Sequence, residues 1–123
     1  MKRIVTALIV VLAICVTLSG CRPSGMDDKT YNLGKEAVEL AQDFLDGKLP
    51  MDEAKDKMDD IRDELNDLDF KEETERKKRH HNSMVEAEVS GIVIAINGLH
   101  SDYEVQKDVE KALKDLKDYL GLK

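Results

Sequence analysis

Met84-Val85-Glu86-Ala87-Glu88-Val89-Ser90-Gly91-Ile92-Val93-Ile94-Ala95-Ile96-Asn97-Gly98-Leu99 is the stretch on which the fold turns. It is the most apolar part of the chain beyond residue 21, and residues 89–96 are apolar nearly all round. Such a helix needs neighbours on more than one side, which makes it the expected centre of a domain. Eight residues are too few to cross a bilayer, which takes roughly 20. The β-branched residues alone would suit a strand, but the chain offers no second strand to pair with it. Ser90-Gly91 lets a neighbouring backbone come close, and Gly98 after Asn97 is a natural stop.

The segment just upstream is its opposite. Residues 71–82 contain no apolar side chain. A helix is expected to start near Phe70, with Asp69 and Glu72 as a capping pair. The ordered pairs Glu72 with Arg76, Glu73 with Lys77 and Glu75 with Arg79 would support it. Such a segment either projects past the bundle as a charged helix or frays. It holds Arg76-Lys77-Lys78-Arg79-His80-His81, the basic cluster of an otherwise acidic region. The plain reading of a charge run is a solvated face; Arg76, Lys77, Lys78 and Arg79 are also the candidate contact for an anionic partner such as a headgroup or a wall polymer. His80 and His81 point about 100° apart on a helix and cannot chelate one ion together. No second imidazole or carboxylate follows either of them at three or four residues, and Met84 reads as core rather than as a haem ligand. No metal site or cofactor is expected.

Three more helices flank these segments. Leu33, Ala37, Leu40, Ala41, Phe44 and Leu45 form one stripe over residues 28–46, with Gly47 as its left-handed cap. Pro50 opens a second helix, in which Ala54, Met58, Ile61, Leu65 and Leu68 alternate spacings of four and three. That is a seam to be buried against other helices. Its outer face carries Asp59, Asp60, Asp63, Glu64, Asp67 and Asp69, but residues 63–75 lack the glycine that a calcium loop needs, so a solvated face is expected. Ser101-Asp102-Tyr103-Glu104 is a capping box for a last helix striped by Val105, Val109, Ala112, Leu113, Leu116, Tyr119 and Leu120. His100 reads as a loop residue. The sum is an all-α, antiparallel bundle over residues 28–123, with four helices favoured and three as the alternative.

The first 21 residues have a different character. Lys2 and Arg3 precede a run of 15 uncharged, mostly aliphatic residues at 4–18, the length of a signal-peptide core rather than of an anchor. Leu18-Ser19-Gly20-Cys21 then resembles the lipobox of bacterial lipoproteins: an aliphatic residue, two small residues and a cysteine. The resemblance implies a signal peptide over residues 1–20, cut before Cys21 by signal peptidase II, and a diacylglyceryl group on the Cys21 sulfur. It covers this stretch alone. On this reading Cys15 is removed and Cys21 is capped, which leaves no free thiol for a disulfide, a zinc site or catalysis. Residues 21–27 lack periodicity and read as a lipidated N-terminus and linker, reaching at most about 25 Å.

The resemblance places the domain on the extracytoplasmic side of a membrane, held by lipid. The chain carries 26 acidic against 19 basic residues, and removing residues 1–20 leaves a formal net charge of −9. Such a body is repelled by an anionic bilayer, so lipid would act as a tether, and nucleic acid is not an expected partner. Arg22 after the cysteine, in a two-membrane cell, matches the family's outer-membrane sorting pattern. Three functional classes follow. The favoured one is a non-catalytic envelope lipoprotein whose bundle binds or scaffolds a protein or cell-wall component. The alternatives are a bundle holding an apolar molecule or haem, and a small enzyme. The last finds no nucleophile motif, metal constellation or phosphate-binding glycine loop in the sequence.

Overall fold

In the computed structural model, residues 22–97 and 102–122 are described. Four helices run in order: α1 (Asp28–Leu45), α2 (Met51–Asp67), α3 (Arg76–Asn97) and α4 (Asp102–Leu120), with a 3₁₀ turn at Glu73–Glu75 before α3. Among the described residues there is no strand. Each helix packs on the next and α4 returns to α1, while α3 also touches α1 across the middle. The result is an up-down-up-down bundle in which α1 and α3 each meet all three other helices.

Local signals account for the ends. Asp27 caps α1, its carboxylate accepting the Lys29 backbone N–H at 3.0 Å. Gly47 terminates the helix at φ +75°, and the Lys48 N–H returns to the Asp43 carbonyl at 2.9 Å, a Schellman ending that needs a left-handed residue there. Pro50 stands at the N-cap of α2, with Asp52 and Glu53 in its first turn. The opening of the third helix differs from the expected Asp69–Glu72 pair. The capping box lies three residues later, between Glu72 and Glu75. Phe70 is half-buried, and the Arg79 guanidinium donates to its carbonyl at 2.6 Å, which keeps the chain out of helix until the 3₁₀ turn. Glu72, Glu73 and Glu75 therefore precede α3 and do not form the expected helical pairs along it. α4 begins at Asp102, where a cap at Ser101 would put it; Ser101 and His100 lie outside the described residues.

The core follows the stripes. Ala37, Ala41, Ala54, Met58, Leu65, Val85, Val89, Ile92, Val109, Leu116 and Leu120 are fully buried. Leu40, Phe44, Leu45 and Leu68 pack at its margin. Gly34 lets α1 and the end of α4 approach, since a Cβ there would stand 3.0 Å from both methyls of Leu120. Two expectations of burial fail on one face of α3: Ile94 is 70% exposed and Met84 is 37% exposed. Three neighbours cover only part of a helix circumference, so residues 89–96 are not enclosed all round.

Candidate functional site

The chain enters the bundle at the end that also holds the start of α3 and the last turn of α4, called here the near end. Residues 22–27 have no regular structure, as their lack of periodicity predicts, but they are bound along their length. Met26 is buried in the core. A turn puts Gly25 at φ +85°, closed by the Met26 N–H on the Pro23 carbonyl at 3.3 Å. The Arg22 guanidinium donates to the Met26 carbonyl at 3.0 Å, pairs with Asp28 and sits 5.4 Å from the centre of the Tyr31 ring. His81 Nε2 meets the Ser24 carbonyl at 3.1 Å. Cys21 itself lies outside the described residues.

The basic cluster borders this segment, and its four members have different neighbours. The Lys77 methylenes lie over Gly25, where a Cβ would come within 3.0 Å of them. Lys78 Nζ is 3.9 Å from Asp27. Arg79 holds the Phe70 carbonyl, and Arg76 stands 3.9 Å from Glu73 on the outside. The structure thus brings Lys77 and Lys78 against the incoming chain and turns Arg76 and Arg79 toward the α2–α3 connection.

Beneath the cluster is a polar core that the apolar pattern does not reveal. Asn82 is buried; its amide donates to the Leu65 carbonyl at 2.9 Å and its oxygen accepts from the Thr30 hydroxyl at 3.0 Å. One side chain thereby joins α1, α2 and α3. His81 Nδ1 lies 2.7 Å from the Tyr119 hydroxyl. A neutral ring with its proton on Nε2 satisfies both contacts, accepting from the phenol and donating to Ser24. Burial, and then the Glu88 carboxylate, push the Tyr119 phenol above its ordinary range, so it keeps the proton it donates. A signal for Asn82 was present: it sits three residues before Val85 and continues the buried stripe of Val85, Val89, Ile92 and Ile96.

A second surface feature lies away from the cluster. Glu88, Gly91, Ile94 and Ala95 of α3 form a shallow groove with Asp108, Lys111, Ala112 and Asp115 of α4. Burial, and then Asp115, raise the Glu88 carboxyl above the usual carboxylate range, with Lys111 acting against them. A Cβ added at Gly91 would touch nothing. Among the described residues, no group of three His, Cys, Asp or Glu side chains is placed to hold a metal ion. No described helix is long and apolar enough to cross a membrane. Comparisons of the chain with protein-family models, curated proteins and solved structures find no match.

Proposed function

We infer that this chain is a lipid-anchored envelope protein whose helical domain works by binding or scaffolding another surface component, without catalysis. The observation that carries this reading is the motif Leu18-Ser19-Gly20-Cys21 after a basic, then aliphatic leader. Two acyl chains, at about 0.8 kcal/mol per buried methylene, would hold such a body at a bilayer, where one chain alone gives only marginal binding. Support also comes from position: residue 22 is already tied to the bundle, so the lipid-bearing residue would be attached directly to the folded body. Arg22 as the second residue of the processed chain fits outer-membrane sorting in a two-membrane cell.

The test is the mass and location of the protein in its own cells. A chain that begins at Cys21 with a diacylglyceryl mass added, found in the membrane fraction and released from it by Cys21→Ala, is the expected result. An unmodified Cys21, or membrane retention unchanged by that substitution, would overturn the reading. Crosslinking the intact protein in the same cells then identifies the component it binds.

A further inference from the structure

We propose that the near end of the bundle, around Arg76, Lys77 and Arg79, is a docking surface for the anionic phosphates of phospholipid headgroups, which holds the domain upright on the bilayer. The proposal rests on the lipid-anchor reading and specifies what the body does once anchored.

Three observations meet at this end. The first is reach. The linker expected to span up to about 25 Å is not free, because the chain is fixed to the bundle from Arg22 through Met26. Adjacent Cα atoms are about 3.8 Å apart, so an acylated Cys21 would bring the surface around Arg22 to headgroup level. The domain cannot stand off at the length of an extended tether while those contacts hold.

The second is charge. Residues 22–29 and 67–79 at this end carry seven acids and seven cations, so the end is balanced where the chain as a whole is acidic; Asp28 pairs with Arg22, Lys78 lies beside Asp27, and Lys71 pairs with Asp69. Glu72 and Glu75 bond to backbone N–H groups in their capping box and keep their charge, beside the 3₁₀ turn. Lys77 is exposed, and its stem is fixed over Gly25, beside the incoming chain. Arg79 is hydrogen-bonded to a neutral carbonyl, so its charge is not cancelled there. Arg76 is 79% exposed, with Glu73 at the limit of contact. These cations are left to face an anionic plane.

The third is the opposite end. The turn between α1 and α2 is flanked by Asp43, Asp46, Asp52, Glu53 and Asp56, with Lys48 and Lys55 among them. An anionic surface repels this end, with five acids and two cations over residues 43–56, more than the balanced near end, so the same field that disfavours adsorption of the whole body selects its orientation. Net charge alone predicts a body pushed away from the bilayer. The distribution of charge predicts one that stands on its less acidic end, where Arg76, Lys77 and Arg79 are gathered.

The test uses the full lipoprotein purified from membranes and reconstituted into phosphatidylcholine vesicles with or without phosphatidylglycerol. A donor dye is placed at the near end through Lys71→Cys or at the far end through Lys48→Cys, and energy transfer to a headgroup-labelled lipid is measured. The ratio of near-end to far-end transfer should rise when phosphatidylglycerol is present. It should fall back at about 1 M salt, where the screening length is about 3 Å. Arg76→Gln with Lys77→Gln should weaken the upright population by roughly thirtyfold, from the usual contribution of a basic residue at an anionic surface. Lys77→Glu alone should act in the same direction, and helical circular dichroism reports that each variant is folded. A ratio that ignores phosphatidylglycerol, or that both variants leave unchanged, overturns the docking surface while the anchor stands. If the ratio ignores the lipid but the variants lose a crosslinked partner in cells, the cluster serves a wall polymer or protein, and headgroup docking is likewise overturned. An unacylated Cys21, seen as a second labelled thiol, removes the anchor reading and this one together.

Discussion

The two halves of α3 are joined to the same bundle by different physics. From Val85 onward the helix is held by Val85, Val89, Ile92, Val93 and Ile96, all buried and apolar. From Arg76 to Ser83 it has no apolar side chain, yet it neither projects free nor frays: Asn82, His81, Lys77 and Lys78 fasten it to α1, α2, α4 and the incoming chain. Apolar burial needs area and tolerates adjustment. Polar attachment needs a few atoms at fixed distances and leaves a costly vacancy when one is removed. A helix can therefore be ordered over a stretch whose composition alone would leave it to solvent.

Substitutions in each half measure that contrast, and the largest effect belongs to the apolar half. Ile92→Ala, at a fully buried position, should cost about 3 kcal/mol in urea denaturation through lost burial and the cavity left behind. Asn82→Ala should follow at about 2 kcal/mol, because the Leu65 carbonyl and Thr30 hydroxyl lose a buried partner. A cost under about 0.5 kcal/mol would show that the polar half is held by something else. His81→Ala should cost about 1 kcal/mol, with amide exchange rising in residues 22–26, whose Ser24 carbonyl it holds. Gly91→Ala should stabilise by about 0.8 kcal/mol, since the added methyl meets nothing and alanine favours helix. A loss instead would mean that the outer side of the apolar half is covered by a partner.

Glu88→Gln is the smallest, and its effect depends on pH. Burial raises the carboxyl in the folded state, so the native protein holds this proton more tightly than the unfolded chain. The contribution of Glu88 to stability therefore falls as pH rises from the ordinary glutamate range through its raised value, and above that the charge is a cost. The substitution should raise Tm slightly at neutral pH and leave it unchanged in acid. A gain that persists in acid would contradict the assignment.

The apolar half was legible because periodicity reports burial directly. The α2 seam of Ala54, Met58, Ile61 and Leu65 and the Gly47 cap were read from spacing and glycine chemistry, and both stand in the structure. Ile94 and Met84 were misread for a related reason: composition says that a stretch is apolar but not how far its neighbours reach round it. The polar half was less legible because its order rests on contacts between residues far apart in sequence, such as Thr30 with Asn82. Its capping box was misplaced by three residues because Phe70 is held by Arg79, a contact no local pattern reveals. Within the candidate site the basic cluster was visible as a run, while its division between the incoming chain and the α2–α3 connection was not. The anchoring of Met26 had no signal beyond one apolar residue in an aperiodic stretch.

The close approach of Gly34 to Leu120 has a consequence for how the molecule is made. The last turn of α4 fills the face of α1 at Gly34, so that part of the interior closes only when α4 packs back on α1. The contact joins positions 34 and 120, a longer loop to close than any contact between sequential helices.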